Sequence, residues 1–271
     1  GGSVTVRIED IGEDTVRVIA AGRINNVTHN SMLEAKLSSI FPTVESALTV
    51  FGDSVEVTSD GKAFLIDGND YNIDGSKGSA PAVEGIGVQS DKAVQDVKEQ
   101  LENADGGSIS DRVIGKSGVG SVGSFSSSNL SELHTFYKEL ATITMAAGKY
   151  SDNRVIGSLE QPEIVYVPGD LEWGGTITGA GILVVDGQLI MKGKIEWKGI
   201  ILTMAGDVKI ELGGSGTPNI LGTVWVGNNT SAQVTNVHLS GNPGLRYSYQ
   251  TLTTILSNLG LLEVEIIKYY E

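Results

Sequence analysis

The chain has 271 residues, 36 of them glycine, six proline and none cysteine, and 33 acidic against 19 basic side chains give it a net charge of −14. Without cysteine there are no disulfides, thiol catalysis or thiolate metal sites, and an acidic chain with no run of Lys or Arg is not expected to bind nucleic acid or an anionic lipid surface. No apolar run reaches the roughly 18 residues of a membrane span.

Ser3–Asp10 and Thr15–Ala21 alternate apolar and polar residues about the short turn Ile11–Asp14, which predicts a β-hairpin. Val27, Met32, Leu33, Leu37 and Ile40 suit a helix over Val27–Ile40, capped by Thr28 or Asn30 and ending before Pro42. Ala47–Val57 and Ala63–Ile66 read as short strands, and Asp67–Gly87 as a loop rich in Gly, Asp and Asn. Ser90 caps a predicted amphipathic helix over Ser90–Asn103, with Val94, Val97 and Leu101 as its stripe. Gly106–Ser128 is a Gly/Ser segment that reads as irregular and flexible. Asn129–Ala147 reads as a second helix, with Leu130, Leu133, Phe136, Tyr137 and Leu140 on one side.

The texture changes at Gln161. Gly181, Gly199 and Gly222 each precede an aliphatic run that closes on another glycine, and Ile164–Val167 leads into the series. Between these runs lie second strands at Gln188–Met191, Lys194–Trp197 and Asp207–Glu211. A period near 20 residues means that one repeat cannot bury its apolar face alone, whereas stacked repeats can. This reading gives three or four coils of a small β-solenoid or β-roll from Gln161 to Arg246; a meander of hairpins is the competing arrangement. Tyr247–Asn258 then reads as a helix stopped by Gly260, and Leu261–Tyr270 as a final strand. The expected fold is mainly β: an α+β N-terminal region over residues 1–150, followed by a β-solenoid region over 151–271 that ends in the helix and strand.

Asp70-Tyr71-Asn72-Ile73-Asp74-Gly75 matches the opening of a calcium loop, in which short oxygen side chains at alternate positions turn inward. Asp67 and Glu84 complete the candidate ligand set of Asp70, Asn72 and Asp74, because position twelve of the loop is Pro81. Calcium is the only cofactor expected, and the alternative is an Asx-turn loop that bonds its own backbone. Trp173, Trp197 and Trp225 all lie in the repeats. An exposed stack of them would form a binding surface for sugar or protein; core packing is the other outcome. Asp170, Glu172, Asp186, Glu196, Asp207 and Glu211 supply carboxylates for acid–base work on polysaccharide, although outward charges are the default on such strands. His29, His134 and His238 are not at ligand spacing, and the Gly-x-Gly strings near Gly118–Gly123 lack the strand–helix context of a nucleotide site.

The opening block Gly1–Asp10, the returning strand that ends near Gly22, the blocks Ile66–Asp70 and Gly85–Val88, and Arg246-Tyr247-Ser248 after the repeats together resemble the PilX-like family of type IV pilus assembly proteins, a minor-pilin-like group. The resemblance spans most of the chain and rests on block order. It implies a hydrophobic helix ahead of Gly1, a bacterial envelope location, other pilus or envelope proteins as partners, and a role in pilus assembly, adhesion or DNA uptake. The expectation is therefore a non-enzymatic surface protein, the ectodomain of a minor-pilin-like component. The alternative is an extracellular carbohydrate-binding or carbohydrate-processing β-solenoid, and a third reading is a scaffold that stacks coil upon coil.

Overall fold

The computed structural model describes residues 2–12, 15–24, 27–39, 42–60, 64–105, 108–205, 207–212, 220–228 and 234–270. The protein is mainly β and divides into two units, one formed by Gly1–Pro42 with Gly260–Glu271 and the other by Thr43–Leu259. The boundary expected at residue 150 is thus corrected, since it falls inside the second unit.

The first unit begins with β1 (Gly2–Gly12), β2 (Thr15–Ile24) and β3 (Val27–Ser39). β1 and β2 form the expected antiparallel hairpin. The helix expected over Val27–Ile40 is instead strand β3, paired antiparallel to β2 with Val18 opposite Leu33 and Arg17 opposite Glu34; Ile40 lies outside the described residues.

In the second unit the chain runs through β4 (Ser46–Val50), β5 (Val55–Asp60), β6 (Leu65–Asp67) and β7 (Glu84–Val88) to helix α1 (Asp91–Asp105). A 3-10 turn, Ile109–Asp111, leads to β8 (Val113–Ile114), β9 (Val119–Ser121) and helix α2 (Ser127–Glu139). Next come β10 (Ile143–Thr144), β11 (Gly148–Tyr150), β12 (Arg154–Ile156), β13 (Glu163–Val167) and β14 (Leu171–Trp173). The long strands β15 (Thr176–Val185) and β16 (Leu189–Thr203) follow, then β17 (Asp207–Leu212), β18 (Ile220–Val226), β19 (Thr235–Gly241), β20 (Gly244–Arg246) and helix α3 (Tyr249–Asn258). The last strand, β21 (Leu262–Tyr270), belongs to the first unit and pairs antiparallel with β3.

Among the described residues every strand pairing in the second unit is parallel, and the pairings form three ladders. In the first, the neighbours run β10, β13, β15, β16, β18, β4, β7, β9. In the second they run β11, β14, β16, β17, β19, β5. In the third they run β12, β15, β16, β18, β20, β6, β8. The register read from sequence is the observed one, with Gly181 opposite Gly199 and Gly199 opposite Gly222. The ladders nevertheless extend past the expected repeats, because residues 46–121 join the same sheets. The first ladder is buried on both faces through β4, β7 and β18, as parallel sheets covered by helices are. Helix α2 packs on β13 and β15, and α3 on β16 and β18.

After β7, helix α1 occupies the place where a further strand would stack on β5. Gln100 of α1 accepts a hydrogen bond from the Val57 N–H (2.9 Å) and donates one to the Val55 carbonyl (3.4 Å). One side chain thereby pairs with the edge of β5, which blunts it against other strands. At the opposite end, the inward row formed by Ile195 and Ile177 finishes in Arg154, whose guanidinium lies 4.4 Å over the Tyr150 ring.

Two further expectations are corrected. Gly106–Ser128 is largely packed: Val113, Val119, Val122 and Phe125 are buried, and only residues 106–107 of it lie outside the description. Helix α2 ends at Glu139, well before Ala147, because Thr142 N–H bonds the Ile164 carbonyl at 2.9 Å and the chain enters the first ladder there.

Candidate functional site

Two polar clusters stand out in the second unit. The first is the corner where the chain leaves the third ladder at Asp67 and re-enters the first at Glu84. Asp67 is fully buried; one carboxylate oxygen accepts from the Asn69 backbone N–H and from Asn69 Nδ2, both at 2.8 Å, and the other from the Tyr71 hydroxyl at 2.6 Å. Burial, then this bond to Asp67, pushes the Tyr71 hydroxyl pKa up. Asp70 accepts from Ala80 N–H and from Tyr249 N–H, both at 2.9 Å. Tyr249 is the first residue of α3, so a carboxylate sits at that helix N-terminus beside the cap Ser248, where negative charge is stabilising. Glu84 accepts from the backbone N–H (2.8 Å) and hydroxyl (3.0 Å) of Ser117. The loop closes only around glycine at Gly68, where a Cβ would stand 2.2 Å from the Val83 carbonyl oxygen.

The blocks Ile66–Asp70 and Arg246–Ser248 meet at this corner, and Gly85–Val88 is the rest of strand β7, which leads away from it between β4 and β9. Tyr247 N–H bonds the Asp67 carbonyl (2.9 Å), Tyr71 N–H bonds the Tyr247 carbonyl (3.1 Å), and the Arg246 guanidinium lies 5.0 Å over the Tyr71 ring. Burial, with Asp70's charge adding to it, raises the Tyr247 hydroxyl pKa far above its ordinary value.

The five candidate calcium residues are therefore engaged one by one. Asn72 donates to Ser76 Oγ (3.0 Å) and the Lys77 carbonyl (3.1 Å), and Asp74 accepts from Ser76 N–H (2.9 Å) and Oγ (2.6 Å). Among the described residues no group of three or more His, Asp or Glu is placed to hold a metal ion. Melting in millimolar calcium and in chelator is expected to give the same midpoint; a rise with calcium would show that the corner opens to bind it, because a ligand that binds only the native state stabilises it.

The second cluster joins α2 to the first ladder. Helix α2 rises about 5.4 Å per turn and parallel strands stand about 4.8 Å apart, so residues four apart on one helix face meet successive strands. His134 lies against Asp186, just past β15, and Lys138 against Tyr166 of the adjacent β13, while Leu130, one turn earlier, lies against Gly227 just past β18, two strands from β15. His134 Nε2 is 2.5 Å from one Asp186 carboxylate oxygen; the Tyr166 hydroxyl donates to the other, and Lys138 Nζ lies 3.7 Å from it. Burial works against the charge of Asp186, but the hydrogen bonds from Tyr166 and His134, with Lys138 nearby, outweigh it and hold the carboxyl below its ordinary range. The bond to Tyr166 and the charge of Asp186 hold Lys138 protonated to higher pH than usual. These contacts clamp the helix to the strands.

Because the folded-state pKa of Asp186 is depressed, its contribution is complete above the unfolded value near 3.9 and is lost as pH falls through the lower folded value. Asp186→Asn is expected to cost about 1–3 kcal/mol at pH 7 and to flatten the dependence of stability on pH below about 4, measured by urea unfolding at pH 7 and pH 3.

The expectation of an exposed tryptophan surface is corrected. Trp173, Trp197 and Trp225 are 0%, 1% and 1% exposed. Trp173 and Trp197 pack with ring centroids 5.9 Å apart, and Trp225 lies 5.1 Å from Phe125. His238 lies 2.9 Å from Thr58 Oγ1 and 3.0 Å from Asp60 Oδ2 across β19 and β5, while His29 is exposed on β3. Of the six carboxylates noted in the repeats, Asp170 accepts the Gln188 N–H at a turn (2.8 Å), Glu172 sits between Lys149 (2.8 Å) and Lys192 (3.5 Å), and Glu196 pairs with Lys194 (3.1 Å). The side chains of Asp207 and Glu211 lie outside those described. Among the described residues no helix is long and apolar enough to cross a membrane. The His134–Asp186 pairing was not found by sequence reasoning; the available signal was the step of four from Leu130 to His134 to Lys138 along one helix face.

No family model, no curated protein and no solved structure matches the chain.

Proposed function

We propose that the second unit is a β-solenoid and that the chain serves as a non-enzymatic structural module of a bacterial surface assembly, a minor-pilin-like component of the PilX-like kind its sequence blocks resemble. One observation carries this reading. Two of those blocks, Ile66–Asp70 and Arg246–Ser248, meet at one corner, where their polar groups hold backbone and the start of a helix. The parallel register of 18 residues from Ile164 to Ile182 and again to Ile200 supports the solenoid. A stiff parallel stack suits a part that transmits load or presents a surface.

In this reading the partners are other pilus or envelope proteins and the location is the cell envelope. The test is the gene upstream of Gly1. It is expected to encode a prepilin-type leader and a hydrophobic helix; a cleavable signal peptide without that helix would remove the pilus assignment. Release of reducing ends from a polysaccharide panel by the purified chain would overturn the non-enzymatic reading.

A further inference from the structure

The first unit is a four-stranded antiparallel sheet in the order β1, β2, β3, β21. One cross-strand row runs from edge to edge: Glu9 is opposite Arg17, Arg17 opposite Glu34, and Glu34 opposite Lys268. The row therefore alternates in sign, negative at the β1 edge and positive at the β21 edge. The inner pairs are engaged: Arg17 Nη2 is 2.7 Å from Glu34 Oε1, Arg17 Nη1 is 3.9 Å from Glu9 Oε2, and Arg7 also reaches Glu9 at 3.0 Å. Lys268, at the far end, is exposed on its strand. Among the described residues β1 pairs only with β2, and β21 only with β3.

We propose that this sheet adds edge to edge to that of a second copy of the chain, with β1 of one copy antiparallel to β21 of the next and Glu9 opposite the neighbour's Lys268. Two properties of the sheet fit a second copy. Opposite charges directly across a strand pair stabilise it and like charges oppose it, and here the alternation continues without a break from one copy to the next. The strand count is even, so β1 and β21 run in opposite directions and a simple repeat of the sheet keeps every pair antiparallel. In this register Arg7 lies opposite the neighbour's Tyr270, a cation beside an aromatic face. The contact joins unlike edges, so it does not close on itself at two copies and forms chains or rings. A single strand pair buries less than a standard interface, which makes the association weak and dependent on concentration.

Sedimentation equilibrium of the full chain at low salt is expected to show an average mass that rises with concentration past that of a dimer and falls when salt is added. A mass that stays monomeric at every concentration overturns the proposal, as does one that stops at a dimer, the signature of β1 pairing with its own copy. Glu9→Lys or Lys268→Glu alone is expected to weaken association roughly tenfold, and an equimolar mixture of the two variants to restore it, because each contact between unlike copies then joins opposite charges; a mixture no better than the single variants overturns the proposal. A second measurement leaves the charged pair intact. The chain has no cysteine, so Arg7→Cys and Tyr270→Cys proteins can be mixed and oxidised. The mixed disulfide is expected to dominate, and formation of only the like-with-like products overturns the proposal.

Discussion

Gly199→Ala is expected to lower the free energy of unfolding by about 4 kcal/mol, the combined cost of a strained backbone and an overpacked core. Gly199 has φ +128°, and a Cβ there would lie 2.1 Å from the Gly181 carbonyl oxygen and 2.7 Å from Ile255 Cδ1 of α3. Neither neighbour can yield easily. The carbonyl belongs to the next strand of the first ladder, and Ile255 is fully buried. Gly75→Ala is the control. Gly75 also has positive φ, +83°, but nothing stands within 4 Å of its Cβ position, so that change is expected to cost only about 1 kcal/mol. Guanidinium unfolding of the two variants separates the effects: equal losses would mean that the strands are not tightly packed at Gly199.

Trp197→Ala is expected to cost about 3–5 kcal/mol, the range for removing a large aromatic from a core. Trp197 is 1% exposed, packs against Trp173, and donates from Nε1 to the Ile200 carbonyl at 3.3 Å. A pair of milder changes tests the packing in detail. Trp197→Phe leaves the Ile200 carbonyl without its indole donor, whereas the Trp173 indole N–H has no hydrogen-bond partner to lose among the described residues. Trp197→Phe is therefore expected to be the more damaging of the two by about 1 kcal/mol. Thermal melts of both, compared with the wild type, check the order; a larger loss in Trp173→Phe would show that volume rather than hydrogen bonding decides this part of the core.

The glycine register was legible in the sequence because it has a single physical cause: at Gly181, Gly199 and Gly222 the paired strands take positive φ and leave no room for a Cβ, and only glycine meets both demands. The same residue misled elsewhere. Gly115 and Gly120 suggested a flexible linker, yet a Cβ at Gly115 would stand 2.4 Å from the Val83 carbonyl oxygen and one at Gly120 2.5 Å from the Glu84 side chain. They are there for close approach, and the signal was Val113, Val119, Val122 and Phe125 spaced among them. β3 was misread because Met32, Leu33 and Leu37 fit helical spacing, whereas its pairing with β2 on one side and β21 on the other makes it a strand. Tertiary pairing overrode a weak local pattern. The tryptophans were recognised as important, but burial depends on which strand face they occupy, and periodicity within runs that are apolar on both faces does not decide that. The clamp at Asp186 depends on two residues 52 apart in sequence that only the packed helix brings together.

The order of strands in the first ladder has a consequence during synthesis. β4 leaves the ribosome early, but its neighbour β18 lies far downstream: Leu48 is opposite Val224, a separation of 224 − 48 = 176 residues. At elongation rates of about 5–20 residues per second, β4 is made roughly 9–35 s before the strand it must join exists. Until then it has no template on that side, and its closure is a late, high-contact-order step. Residues 143–226 have neighbours close in sequence and can form as they emerge. Maturation of this chain is thus expected to run backwards along the stack, with the first-made strands being the last to be seated.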